Sequence, residues 1–71
     1  MACVNPDGSP SESGKAVLRA LSTPTAAEEV AKQAGQPLFK VRASLRELTA
    51  AGFIKEDGGK YVITESGKGK I

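Results

Sequence analysis

The sequence predicts a small α+β fold, mostly helical, in which three helices precede a C-terminal β-hairpin. Two observations support this prediction. Before Gly52, apolar residues recur at spacings of three and four in successive segments, which is the pattern of the buried side of a helix. After Gly52, two β-branched or aromatic runs flank Asp57-Gly58-Gly59, which indicates antiparallel strands joined by a tight turn.

Length and charge limit what such a chain can do. With 71 residues it can bury one small core at most. The formal net charge of +2 is unevenly distributed, because residues 36–71 have seven Lys or Arg against four Asp or Glu, whereas residues 1–35 have three against four. An anionic partner would therefore be expected to meet the C-terminal half.

The residue types that are missing argue against an enzyme. There is no His and a single Cys, Cys3, so we expect no metal cluster, no Ser-His or Cys-His pair and no intrachain disulfide. No apolar run approaches the roughly 18 residues of a membrane span, and residues 1–13 lack the order of a secretion signal. We therefore expect a cytoplasmic, non-enzymatic protein with no cofactor, no metal and no membrane partner.

The first helix is predicted over residues 14–22. Its apolar residues recur at helical spacing: Val17, Leu18 and Leu21. Thr23-Pro24 ends the pattern because proline cannot continue a helix. Residues 1–13 have little apolar content, so they are predicted to form a flexible leader in which Cys3 has no redox role.

The second helix is predicted to begin at Thr25. Thr25 and Glu28 have the spacing of a capping box, in which each side chain accepts a hydrogen bond from a backbone N–H at the helix start. A stripe of small apolar residues follows: Ala27, Val30, Ala31 and Ala34. Gly35 is predicted to end the helix, since glycine readily takes the left-handed conformation at a C-terminal cap.

The third helix, over about residues 37–51, has the clearest periodicity. Pro37 suits the first position of a helix, and a stripe of larger apolar residues follows it: Leu38, Val41, Leu45 and Leu48. After the helix, Gly52 can supply a left-handed residue, which would let Phe53 fold back on Leu48.

The hairpin is predicted over residues 53–64. Because side chains alternate along a strand, Tyr61 and Ile63 should share the face that meets the helices. Residues 65–71 are too polar and glycine-rich to predict as ordered. The chain is thus divided into the leader, a domain over residues 14–67 and a flexible tail at 68–71.

Two helices joined by a short turn with Gly, the second longer and basic, match the description of a helix-turn-helix. Four pieces of sequence follow in order: Thr25-Ala-Ala-Glu-Glu-Val-Ala-Lys-Gln-Ala-Gly35, Val41-Arg-Ala-Ser-Leu45-Arg-Glu-Leu48, Ala51-Gly-Phe-Ile54 and Tyr61-Val-Ile-Thr64-Glu-Ser-Gly67. On these pieces, the domain resembles the winged helix-turn-helix of MarR-type and ArsR-type bacterial and archaeal regulators. The resemblance implies a DNA-binding protein that regulates transcription, with the third helix in the major groove and the hairpin, the wing, beside it.

If the leucines of the third helix face the core, four residues fall on its exposed side: Phe39, Arg42, Ala43 and Arg46. Arg42 and Arg46 are the best candidates for contact with double-stranded DNA, because a guanidinium can grip guanine or phosphate with two N–H groups. Lys40 flanks them, and Ser44 is a weaker candidate.

Three further DNA contacts are expected outside this helix. Thr25 lies at the predicted start of the second helix, where free N–H groups suit a phosphate. In the wing, Lys60 is a candidate phosphate contact, and Gly59 allows close approach of the backbone.

Phe39 leaves a second function open. An aromatic residue near the start of the third helix departs from the small polar residues usual in the family that the sequence resembles. Phe39 could contact a thymine methyl, pack partly against the first helix, or mark a protein-binding patch. The alternative function is therefore a winged helix that binds another protein through a contact patch that includes Phe39. Separately, two copies of the chain could pair as a weak homodimer through the first helix. A left-handed DNA or RNA binder is a weaker third reading, because the chain has no Trp.

Overall fold

The computed structural model describes residues 4–71, and it has four helices and a three-stranded antiparallel sheet. The elements follow one another in this order: α1 (Glu12–Ala20), β1 (Thr25–Ala26), α2 (Ala27–Ala34), α3 (Leu38–Ala50), β2 (Ile54–Asp57), β3 (Lys60–Ile63) and α4 (Glu65–Lys68). The predicted α+β class is confirmed, with the β2–β3 hairpin as the wing. Among residues 4–71, the model contains no helix with the length and hydropathy needed to cross a membrane.

Helix α1 begins two residues before the predicted position. Ser11 caps it, because its hydroxyl oxygen accepts a hydrogen bond from the Gly14 amide at 3.2 Å. Before the helix, Val4 and Pro10 form an isolated β-bridge. Ser9 donates two hydrogen bonds to the Asp7 carboxylate, which lower the pKa of Asp7. Cys3 lies outside the described residues.

The start of α2 differs from the prediction. Thr25 belongs to β1, and the cap position is occupied by Ala26, whose side chain makes no capping hydrogen bond. The Thr25 hydroxyl instead donates to the Thr23 carbonyl at 2.8 Å. The predicted capping box is therefore wrong, because the chain is still extended at Thr25 and pairs there with Tyr61 of β3.

Helix α3 ends as predicted. Gly52 is left-handed at a φ of 85°, and the Phe53 amide donates to the Leu48 carbonyl at 3.0 Å while the Gly52 amide donates to that of Thr49. This is the Schellman arrangement, which satisfies the last carbonyls of a helix. Phe53 and Leu48 are both buried in the core, so the chain stays packed against the helices as it enters β2.

The sheet has the order β1-β3-β2. Gly58 and Gly59 both have positive φ between the paired residues Asp57 and Lys60, as a two-residue hairpin turn requires. Tyr61 and Ile63 pack against the core, which confirms the predicted inner face. The short strand β1 was not predicted.

The segment after β3 also differs from the prediction. Residues 65–71 were not predicted to be ordered, but residues 65–68 form α4. Thr64 holds it in place: its hydroxyl donates to the Gly52 carbonyl at 2.7 Å and accepts from the Gly67 amide at 3.2 Å. Gly67 is buried against the Phe53 carbonyl, where a Cβ atom would overlap the oxygen.

All three longer helices and the hairpin contribute to one core. Its buried apolar members are Val17, Leu18, Leu21, Ala27, Val30, Val41, Leu45, Leu48, Phe53, Ile54 and Ile63. The stripe predicted for α3 supplies its centre, since Val41, Leu45 and Leu48 are almost fully buried, while Leu38 is partly buried at the edge. This packing fixes which side of α3 is left to solvent.

Candidate nucleic-acid interface

The candidate interface is the outer side of α3. Its inner side is buried, so the residues about half a turn away point outward. Phe39, Arg42, Ala43 and Arg46 are all exposed, as predicted from the spacing. Phe39 is 72% exposed, which excludes its burial against α1. Lys40 is also exposed, on the opposite flank of Phe39 from Arg42.

Ser44 does not belong to this surface. It is 1% exposed, and its hydroxyl donates to the Lys40 carbonyl at 3.0 Å. The buried stripe of α3 therefore runs through positions 41, 44, 45 and 48, and the serine fills one of its core positions. The prediction of Ser44 as an exposed contact is corrected for this reason.

A groove separates α3 from the wing. It has a volume of about 300 Å³ and is lined by seven residues: Ala27, Glu28, Arg42, Arg46, Glu56, Gly59 and Tyr61. Both candidate arginines reach it, and the backbone of the hairpin turn forms its far side at Gly59. In this groove the structure thus brings together the two arginines predicted in α3 and Gly59, one of the two residues predicted in the wing.

Two carboxylates balance the arginines in this groove. The Glu28 Oε2 atom lies 4.0 Å from the Arg42 Nη2 atom, and both side chains are more than half exposed, at 70% and 57%. Glu56 lines the groove from β2. An ion pair this exposed stabilises a fold by about 0 to 1 kcal/mol, so its larger effect is on the local charge presented to a ligand. Sequence reasoning placed Glu28 in a capping box and missed this position.

The other predicted contacts lie around the groove. Thr25 is in β1, with its hydroxyl proton already donated to a backbone carbonyl. The N-terminus of α2 opens into the groove at Ala27. Lys60 lies opposite Asp57 in the strand register beside the turn, and strand alternation sets its side chain on the opposite sheet face from Tyr61. Lys60 therefore flanks the groove without lining it.

A second concavity lies on the other side of α3. It has a volume of about 330 Å³ between α1, the end of α2 and α3, and small or polar residues line most of it: Ser13, Ala16, Val17, Gln33, Ala34, Gln36, Val41 and Ser44. None of these described lining residues is charged. Throughout residues 4–71, the structure brings no three His, Cys, Asp or Glu side chains together as a metal site.

Comparisons with known proteins give one structural relative. No family model and no curated protein matches the sequence. The structure is similar to CalO1, a methyltransferase in calicheamicin biosynthesis solved in its SAH-bound form, with a TM-score of 0.68 and 25% sequence identity. The match covers 78% of this chain but only 17% of CalO1, so this chain corresponds to a small part of that protein. The comparison supports a winged-helix-like fold and does not assign the chain to the MarR or ArsR type.

Proposed function

We propose that this protein binds double-stranded DNA with α3 in the major groove and the β2–β3 hairpin beside it, and that it acts as a transcription regulator. The proposal assigns it no catalytic role. One observation is central to it: α3 buries its apolar stripe and leaves Arg42 and Arg46 exposed next to the groove under the wing.

The dimensions and charge of α3 suit this role. Its 13 residues span roughly 20 Å at 1.5 Å per residue, and the major groove, about 12 Å wide, admits one helix. Between Leu38 and Ala50 there are three cations, Lys40, Arg42 and Arg46, against the single anion Glu47. The excess attracts a polyanion at the side of the protein that the wing also faces.

Arginine substitutions test the proposal. If each guanidinium contacts a base with two N–H groups, Arg42→Ala and Arg46→Ala should each weaken binding by about 1 to 3 kcal/mol, or about 5- to 150-fold. Fluorescence anisotropy with labelled mixed-sequence duplex, at low and moderate salt, measures this loss. Arg19→Ala is the matched control, because Arg19 is an exposed arginine in the last turn of α1, outside the interface.

Wild-type binding should also fall steeply with salt, because each phosphate contact releases condensed counterions. Circular dichroism of every variant establishes that the helices remain folded. Equal affinities of the two interface variants and Arg19→Ala for duplex DNA would contradict the proposal.

A protein-binding module is the second candidate, favoured by the 72% exposure of Phe39. The charge balance in the groove and the match to part of a methyltransferase fit this function as well. Sedimentation of the isolated chain distinguishes the candidates. A protein-binding surface used between copies predicts self-association that Phe39→Ala abolishes and Arg46→Ala leaves intact. The DNA-binding proposal predicts instead that the chain does not self-associate through Phe39 and that Arg46→Ala weakens its binding to duplex DNA in the anisotropy measurement.

A further inference from the structure

We propose that Phe39 and Ala43 form a recognition surface for the 5-methyl group of thymine, so that the protein selects DNA sites in which a thymine lies near the guanine contacted by Arg46. This inference rests on the proposed DNA binding and deepens it, because it names the base that the apolar part of α3 would recognise. Phe39 and Ala43 together make up this apolar surface of α3.

The exposure of Phe39 is unusual within the described chain. Apart from it, the exposed large hydrophobic residues among positions 4–71 comprise only Ile71, at the end of the sequence. Every other large apolar side chain of α3 is buried or partly buried. An aromatic ring at the start of a helix whose neighbours are cations has no partner in the core, so its apolar area is free for a ligand.

The spacing on α3 sets this surface beside the basic residues. Positions 39, 43 and 46 are separated by four and three residues, so they follow one line along the outer side of the helix. From Phe39 to Arg46 the rise is about 10 Å at 1.5 Å per residue, which corresponds to about three base pairs at 3.4 Å each. A helix inserted in the major groove could thus contact two bases separated by about this distance.

The chemistry of the two side chains favours thymine. In the major groove, thymine presents an apolar 5-methyl group beside its O4 acceptor. The other bases have no methyl group there: cytosine presents an N4 amino donor, guanine two acceptors, and adenine an acceptor and an amino donor. Neither a phenyl ring nor the Ala43 methyl can form a hydrogen bond to those polar groups, which would then lose their water without replacement. The short side chain of Ala43 also lets the helix approach the base edges closely.

Charge decides between DNA and a second copy of the chain. Lys40, Arg42 and Arg46 surround the apolar surface, so two copies packed through it would bring like charges together, at a cost in free energy. A polyanion is attracted by the same residues. The occupant that fits both the apolar and the basic parts is therefore duplex DNA.

Removal of single methyl groups from the DNA tests the inference. The preferred site is first selected from a duplex library with a randomised centre, and each thymine is then replaced by deoxyuridine, which lacks only the 5-methyl group. At one or two positions the wild-type affinity should fall by about fourfold, the value expected for one buried methyl group. Phe39→Ala should bind the thymine duplex more weakly and no longer distinguish it from the uracil duplex.

The controls separate this inference from its premise. Arg46→Ala should bind more weakly but retain the difference between thymine and uracil, whereas Phe39→Leu should retain part of it. If the wild type binds DNA with equal affinity for both duplexes at every position, the thymine inference is overturned and the DNA-binding proposal stands. If no duplex is bound, both are overturned, and loss of self-association in Phe39→Ala would then assign the apolar surface to protein contact.

Discussion

Glu28 lies close enough to Arg42 to compete with a phosphate for its guanidinium. The two groups approach to 4.0 Å at the rim of the groove, where water screens them and the pair contributes little to folding. A DNA phosphate or guanine that binds Arg42 must therefore weaken this contact. The Glu28 carboxylate therefore weakens any binding of DNA that depends on the charge of Arg42 alone. A guanine, which offers Arg42 two acceptors, offsets the lost contact with Glu28 better than a single phosphate oxygen does.

The substitution Glu28→Gln should thus raise the affinity for DNA of arbitrary sequence. We expect an increase of several-fold at low salt, with the slope of log K against log salt concentration steeper by up to about 0.9, equivalent to one additional phosphate contact. Anisotropy titrations over a series of salt concentrations measure both quantities. Glu29→Gln is the matched control, since Glu29 is the neighbouring carboxylate in the first turn of α2 and does not line the groove. Equal behaviour of the two variants would rule out a specific effect of Glu28.

The sequence predicted the outward residues of α3 correctly and Ser44 incorrectly. Phe39 and Arg46 could be placed because the leucine spacing fixes the helix rotation. Ser44 was a weaker candidate contact, but its hydroxyl donates to the backbone carbonyl four residues earlier, which lets a serine be buried at little cost. The role of Glu28 could not be predicted, because it depends on how closely α2 and α3 approach.

The helices and strands whose residues follow a regular apolar spacing could be predicted from the sequence. The short elements that form only through tertiary contacts could not. Helix α3 and the β2–β3 hairpin contain a repeated spacing and a glycine turn. In contrast, β1 has two residues, Thr25 and Ala26, which is too short for any alternation to be visible. Helix α4 has four residues, and its position depends on the Thr64 hydroxyl and on contact between Gly67 and Phe53. Neither contact can be predicted from the sequence of a polar, glycine-rich segment.

The packing of α4 leads to a prediction for Gly67. In Gly67→Ala, the new methyl group would overlap the Phe53 carbonyl oxygen and the Ile63 side chain, so α4 must shift away from the sheet. We expect a loss of about 1 to 3 kcal/mol in the free energy of unfolding, as for other overpacked sites. Urea unfolding followed by circular dichroism measures it.

Gly69→Ala is the control in the same segment. At Gly69 the nearest atoms to an added Cβ lie at 3.7 Å and 3.8 Å, which is ordinary contact, and its φ of −71° suits any residue. Replacement of glycine by alanine at such a position stabilises by about 0.4 to 1 kcal/mol, because the unfolded chain loses freedom. Equal stabilities of the two variants would mean that α4 does not pack on the sheet as described.

The stability of the fold and the proposed DNA interface depend on the same helix, α3. Leu45 is fully buried at the centre of the one core, and Arg46 follows it on the outer side. A chain of 71 residues has about 4 to 11 kcal/mol of stability, at 0.05 to 0.15 kcal/mol per residue. The core is also shared by the helices and the hairpin, so the sheet should not remain folded when α3 loses its packing.

The substitution Leu45→Ala tests this dependence. Truncation of a fully buried leucine costs about 2 to 5 kcal/mol, which is a large part of the total, whereas Leu38→Ala should cost less because Leu38 is only partly buried. Two signals follow unfolding in urea: circular dichroism reports the helices, and Tyr61, the single Tyr in a chain without Trp, reports the sheet by its fluorescence. With one cooperative core, the two signals should change at the same urea concentration in the wild type and should shift together to lower urea in Leu45→Ala. A Tyr61 transition that stayed in place while the helices unfolded would show that the hairpin folds independently of α3.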